Sequence, residues 1–224
     1  MYDFDKIENT HQGETAFVIG GGWSLDEMPI NDIIKKGVSI ACNNAIQSVD
    51  ECHYFFMTDG MIRKFEYYNE VPNKAKTTVF CNDAFLNDYN ESTHNKILLS
   101  RRENARWNWV CDNKDKKILM GYNVIHCAIH FAFVLGCSRV VLLGCDGNYQ
   151  HGKKYASGDS HLLKDGTTYD AFADKIQSNN SDNHLSSSNG GHKEIKRWNP
   201  KKQILNASQG YGVTAYKRIK HTEL

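Results

Sequence analysis

Residues 15–24, TAFVIGGGWS, constrain the chain more than any other stretch. Ala16, Phe17, Val18 and Ile19 form a short apolar run suited to a buried parallel strand. Gly20, Gly21 and Gly22 interrupt it, and Ser24 and Glu27 stand three apart in the manner of a capping box. The expected unit is a strand, a tight glycine turn and a helix start. Glycines let backbone approach a ligand without Cβ atoms in the way, and the free N–H groups of a helix start favour anions. A nucleotide phosphate or ribose is the ligand this unit suits. The spacing is not the dinucleotide fingerprint GxGxxG, because Leu25 occupies the third glycine position, and a tight turn with no ligand would read the same way.

The pattern then repeats. A short helix over residues 29–36 ends at Gly37, and residues 38–45, VSIACNNA, read as a second strand running into Asn43 and Asn44. Residues 53–57, HYFFM, make a third strand that empties into Thr58, Asp59 and Gly60, followed by a helix through Met61, Ile62, Phe65 and Tyr68. Residues 77–83, TTVFCND, end in Asn82 and Asp83. Open α/β sheets bind ligands at the carboxyl ends of their strands, so these polar tips form one candidate layer. Residues 121–135 place Val124, Ala128, Phe131, Ala132 and Leu135 on one face of a helix. Residues 140–143, VVLL, form a further apolar strand with a tight polar exit carrying Asp146. The last strand is QILNAS, residues 203–208. The fold expected is α/β: a single Rossmann-like domain, residues 1–224, with a mostly parallel sheet.

Residues 87–117 are polar, with a short apolar run at Ile97, Leu98 and Leu99, and read as an excursion over the sheet edge; Trp107 and Trp109 near Arg101, Arg102 and Arg106 could stack a base or sugar, or simply cover that edge. His126 and His130 stand four apart, a metal-ligand spacing on a helix, but with no third ligand adjacent they read as a satisfied pair. From about residue 156 to residue 191 the chain is rich in Ser, Asn, Gly and His, which suits a lid over the site or a loop without function. Eight Lys or Arg face one acid, Glu194, over residues 193–220, a patch that could meet a phosphate-bearing partner or remain a solvated face.

Composition excludes several classes. A net charge of +1 argues against a global field for nucleic acid or membrane, and the seven cysteines, odd in number and without a CxxC pair, suit reduced buried thiols. Residues 1–14 hold four acids and no apolar block, so no secretory signal is expected, and a cytoplasmic location is. Residues 118–138 carry no Asp, Glu, Lys or Arg, yet Gly121, Asn123, His126 and His130 interrupt them, so a core helix is expected and not a membrane span.

With GGGWSL, ACNN, the helix begun at Gly121 and the stretch VVLLGCDGNYQHGKKYA in hand, the chain resembles the bacterial lipooligosaccharide sialyltransferases. It also resembles their wider Rossmann-like group, which includes flagellin glycosylation factors and an archaeal hydroxymethyl-pterin pyrophosphokinase. The resemblance implies that Tyr149 and Tyr155, in Tyr-Gln-x-Gly-x-x-Tyr, hold the phosphate of the departing CMP. It implies further that Gly191 and His192 belong to the segment of the catalytic base, and that Gly21 and Asn43 contact the nucleotide. The chain departs from the pattern where Gly21 replaces an asparagine, Met120 a serine, Thr58 and Asp59 an asparagine, and where Gly147 is an extra residue. The donor need not therefore be CMP-sialic acid.

The chemistry expected is transfer of a sugar from a CMP- or UDP-sugar to a hydroxyl of a glycan, protein or hydroxymethylated DNA base. His192 would be the base near neutral pH, Tyr149 and Tyr155 would stabilise the leaving phosphate, and Gly20, Gly21, Gly22, Ser24, Asn43, Asn44, Asp59, Gly121 and Asp146 would line the nucleotide. No metal or other cofactor is expected beyond the donor itself. Two alternatives stay open: a pyrophosphokinase holding Mg²⁺ on Asp59 and Asp146, and a non-catalytic nucleotide or nucleic-acid binder. A homo-oligomer is compatible with the sequence.

Overall fold

Eight parallel strands explain why the apolar runs are continuous and not alternating. In a parallel sheet covered on both faces every residue of a central strand is buried. Thus Ala16 and Val18 of β1 (Thr15–Ile19) enter one core layer while Phe17 and Ile19 enter the other. The structure, a computed structural model, describes residues 3–81, 95–102, 109–147, 156, 161–169 and 180–224.

The main sheet also contains β2 (Val38–Cys42), β3 (Cys52–Met57), β4 (Ala75–Phe80) and β5 (Asn95–Leu98). A small parallel pair, β6 (Arg101–Arg102) and β7 (Ile118–Leu119), precedes β8 (Arg139–Leu143). A hairpin of β9 (His161–Leu162) and β10 (Thr168–Tyr169) follows, and β11 (Gln203–Asn206) and β12 (Lys217–Arg218) complete the sheet. Its order is β12-β11-β8-β1-β2-β3-β4-β5, parallel throughout. From β1 the chain steps outward to β5, then returns to place β8 on the other side of β1. The loops after β1 and β8 therefore diverge, which makes their carboxyl ends a topological switch point. The central helix Val124–Val134 makes the return and packs over β1, β2 and β3.

Several expectations change. Residues 97 and 98 are not part of an excursion but lie in β5, which pairs with β4 as an edge strand. The single helix expected through Met61, Ile62, Phe65 and Tyr68 is instead two short 3₁₀ turns, Gly60–Lys64 and Glu66–Glu70. The segment expected as a lid up to residue 191 carries the β9–β10 hairpin and most of a helix, Asn180–Trp198. Among its described side chains the buried positions Ser188, Gly191, His192 and Ile195 keep helical spacing and of these only Ile195 is apolar, so the sequence pattern suggests just the last part of the helix, around Ile195 and Trp198. Among the described residues no helix is long and apolar enough to cross a membrane.

Candidate functional site

At the switch point the glycine turn extends the β1–β8 ladder: Gly20 N–H donates to Leu143 O at 2.8 Å and Gly22 N–H to Gly144 O at 2.7 Å. A Cβ on Gly20 would lie 2.8 Å from Gly144 O, one on Gly21 would strike the Asn44 amide, and one on Gly22 would strike the Asp146 carboxylate. The room the glycines leave is thus filled by the protein's own atoms, and not by space left for a ligand as the sequence suggested for Gly21. Gly21 O also accepts from Ala156 N–H at 3.1 Å, so the chain beyond β8 comes back onto the turn.

The expected capping box does not form. Ser24 sits inside a 3₁₀ helix, Trp23–Glu27, whose N-cap is Gly22. Ser24 N–H donates to Asp146 Oδ2 at 3.0 Å, and Gly210 N–H donates to Asp146 Oδ1 at 2.9 Å. Asp146, 3% exposed, is therefore a tie between the end of β1 and the loop after β11, with both carboxylate oxygens engaged.

Among the described residues, two buried side-chain oxygens at these strand ends have no hydrogen-bond partner: Ser24 Oγ, on a fully buried residue, and Asn43 Oδ1 at the end of β2. Asn43 holds a left-handed φ of 52°, a conformation asparagine tolerates better than most residues. Native proteins satisfy nearly all buried polar groups, so two orphans at the ends of adjacent strands, in the fold's ligand-binding layer, mark a place where a ligand would complete the bonding.

Asp59 stands apart. It is exposed, and its Oδ1 accepts from Met61 N–H at 2.9 Å, capping the 3₁₀ turn after β3. β8 and β3 are separated by β1 and β2, roughly 14 Å at normal strand spacing. Asp59 and Asp146 accordingly do not fit a shared Mg²⁺. Among the described residues, no group of three His, Cys, Asp or Glu side chains is arranged to hold a metal.

The histidines form a second polar group, at the start of the central helix. Asn123 caps that helix, its Oδ1 accepting from His126 N–H at 3.1 Å and its Nδ2 donating to Ser188 Oγ. Gly121 lies against the His126 side chain, which a Cβ there would strike. His126 Nδ1 accepts from Tyr122 N–H at 3.1 Å while its Nε2–H donates to Ser188 O at 3.1 Å. His130 repeats the scheme, accepting from Leu119 N–H at 2.7 Å and donating to Asp112 O at 2.9 Å. Burial pushes His126 down to about 3 and His130 down to about 4, so both are neutral bridges between backbone groups.

His192 joins them. It is 1% exposed, its Nδ1 is 3.1 Å from Tyr216 Oη, and its ring stands edge-on to His126 with centroids 4.3 Å apart. Gly191 permits that approach, because a Cβ there would strike the His126 ring. Burial first, and His126 second, hold His192 well below the ordinary histidine range. His192, expected as a base near neutrality, is thus buried on the helix Asn180–Trp198 beside Tyr216. Tyr149 and Tyr155 lie outside the described residues.

The structure thus places Gly20, Gly21, Gly22, Ser24, Asn43, Asn44 and Asp146 at the carboxyl ends of β1, β2 and β8, leaves Asp59 at the end of β3, and sets Gly121 and His192 against His126 in the histidine cluster. Sequence reading missed the roles of Asn123, whose amide joins the central helix to Ser188, 65 positions on, and of Arg218, whose guanidinium donates to carbonyls eight to ten positions before it.

Comparison with known proteins gives two findings. The family model described as 6-hydroxymethylpterin diphosphokinase MptE-like matches residues 1–152. Among solved structures, the sialyltransferase CstII from Campylobacter jejuni, in complex with a substrate analogue, cytidine-5'-monophosphate, is similar with a TM-score of 0.55. That alignment covers 94% of this chain and 86% of the other at 13% identity, a likeness of fold. No curated protein matches.

Proposed function

Since the chain belongs to the 6-hydroxymethylpterin diphosphokinase MptE-like family, we propose that it is a nucleotide-dependent transferase whose nucleotide binds at the carboxyl ends of β1 and β2, and that it moves a sugar from a CMP- or UDP-sugar to a hydroxyl. The orphaned Ser24 Oγ and Asn43 Oδ1 carry this reading. A carbonyl oxygen without a donor suits a ribose hydroxyl or an exocyclic amine, and a hydroxyl without a partner can donate to phosphate. In the transfer, the acceptor oxygen bonds to the anomeric carbon, the bond from that carbon to the phosphate oxygen breaks with its electron pair leaving on the phosphate, and the acceptor proton passes to a base. Tyr149 and Tyr155 as partners of the phosphate, and His192 as the base, enter on the sequence resemblance alone. His192 would have to leave Tyr216 to act.

The family match favours a second reading, diphosphoryl transfer from ATP to a hydroxymethyl group. Calorimetric titration with CMP, UDP and ATP, each with and without Mg²⁺, separates the two. Pyrimidine nucleotide binding without Mg²⁺, weakened about tenfold in Ser24→Ala or Asn43→Gly, is the expected result. Binding of ATP only with Mg²⁺, with AMP released on adding a hydroxymethylpterin, would establish the second reading. A protein that binds none of the three sinks both.

A further inference from the structure

The basic tract near the end of the chain takes no part in the proposed transfer. Over residues 193–202, KEIKRWNPKK, five Lys or Arg accompany one tryptophan and one acid. Pro200 disfavours helical backbone at Asn199, so the helix Asn180–Trp198 stops there, with Trp198 at its last position and 44% exposed. The buried Asn199 then ties the helix end to the segment that precedes β7. Its Oδ1 accepts from Cys111 N–H at 2.7 Å, and its Nδ2 donates to Ile195 O at 2.7 Å and to Trp109 O. Residues 110–113 and 198–202, together with Phe133 of the central helix, are thereby held as the lining of one groove of about 500 Å³. A groove fixed in advance loses little ordering entropy when it is filled.

Its lining has two kinds of chemistry. Trp198 and Phe133 offer aromatic surface, and the indole is held in one orientation, its Nε1–H donating to Glu194 Oε2 at 3.1 Å and the Arg197 guanidinium lying 5.9 Å from the ring centroid. Lys202 sets its ammonium 4.6 Å from the Phe133 ring centroid, and Lys201 beside it is exposed. Among the described residues Arg197 pairs with Glu194 at 3.5 Å and Asp112 with Arg102 at 2.9 Å, whereas Lys201 and Lys202 form no ion pair. Two cations without counter-charges therefore stand at an aromatic groove. The groove is at the amino ends of the strands, since Lys202 directly precedes β11. The length of β8, roughly 17 Å at normal strand rise, separates it from the carboxyl ends where the nucleotide is placed.

We propose that this groove docks an acidic peptide segment of a partner protein, a large apolar side chain of the segment entering against Trp198 and its carboxylates meeting Lys201 and Lys202. Tryptophan is enriched among the residues that dominate protein interfaces, and cations at the rim select an acidic partner. A nucleic-acid strand would need a row of cations following its phosphates, but Asp112 on the groove wall and Glu194 at Trp198 interrupt any such row. A membrane surface would need an apolar face that enters the headgroup layer, and Trp198 and Phe133 line a concavity. The docking is independent of which group is transferred at the other end of the sheet, and it leaves the nucleotide crevice open.

A set of acetylated, amidated hexapeptides of Asp and Glu, with Phe or Leu at each position in turn, tests this by calorimetry. At least one should bind the wild type, more weakly as salt is raised. The same peptide with Ser in place of its apolar residue, or with Asn and Gln in place of its acids, should bind about tenfold more weakly. Trp198→Ala should weaken the peptide about tenfold or more, and Lys201→Glu/Lys202→Glu about as much, with CMP affinity unchanged. Should Trp198→Ala lower the Tm, the single change Lys201→Glu keeps the test decisive, because that exposed side chain has no ion pair to lose. It should weaken the peptide severalfold at an unchanged Tm. A wild type that binds no member of the set, or a peptide that binds the wild type and the variants alike, overturns the proposal. So does Trp198-dependent binding of oligothymidylate, or of vesicles of phosphatidylcholine and phosphatidylglycerol, in place of the peptides. Loss of CMP binding in the wild type with peptide binding intact would sink the nucleotide reading and leave the docking groove standing.

Discussion

Two groups of polar side chains, the histidines of the core and the residues at the ends of β1 and β2, differ in one respect. His126, His130 and His192 are buried with their rings engaged by backbone or by Tyr216, whereas Ser24 Oγ and Asn43 Oδ1, at the ends of β1 and β2, make no hydrogen bond. Histidine is the residue most readily taken for a catalyst, yet all three rings here have their bonding met within the fold, while the plainer serine and asparagine carry unmet bonding. Unsatisfied chemistry, more than residue type, separates a site from its scaffold.

The largest effect expected from this contrast is acid sensitivity. Burial lowers the histidines in the fold, so below the unfolded value of 6.5 the unfolded chain binds protons that the native state refuses. Stability therefore holds above about pH 6.5 and falls as the pH drops toward the native values of about 3 and 4. At pH 4.5 His126 and His130 should each cost about 3 kcal/mol. Denaturant unfolding at pH 7.5 and pH 4.5 measures this. An unchanged midpoint would mean the cluster is solvated, and the contrast with Ser24 would dissolve.

Next in size is Asp146→Ala, which strips the acceptor from the buried Ser24 and Gly210 N–H groups. The loss should be about 3 kcal/mol or more, with Asp146→Asn retaining part of it. Were Asp146 a ligand-binding carboxylate kept at the fold's expense, Asp146→Ala would be neutral or stabilising in urea.

Gly21→Val should cost about 2 kcal/mol, because the new side chain meets the Asn44 amide. This reverses the emphasis the sequence suggested, in which the glycine cleared space for a ligand. What was legible and what was not divides along the same line. The strands at residues 16–19 and 140–143 could be read because both faces of a parallel sheet demand apolar residues. The polar strand ends could be read because the topology of such sheets puts ligands there. The filling of the glycine turn by Asn44 and Asp146 could not, since the partners lie 23 and 124 positions away in sequence and only the register of β1 with β2 and β8 brings them together. The helix Asn180–Trp198 is legible in the sequence only at its end, where Ile195 and Trp198 ahead of Pro200 suggest a short helix; the buried positions before them are serine, glycine and histidine, and those that bond to neighbours do so in place of apolar packing.

The smallest effect on stability is expected at Ser24→Ala. Removing a hydroxyl that is buried without a partner takes away an uncompensated desolvation cost and leaves only a small void, so stability should be unchanged or rise by up to ~1 kcal/mol. Ordinary buried serines behave in the opposite way, because they lose a bond when truncated. Asn43→Gly is the companion at β2: glycine accepts the left-handed φ of 52°, so the change deletes the amide without adding strain. Thermal melts and nucleotide titrations on the two variants should therefore diverge, with folding preserved and binding weakened. A Ser24→Ala protein that melts well below the wild type would show that its hydroxyl is already bonded in the native state, and the site would lose one of the two atoms that define it.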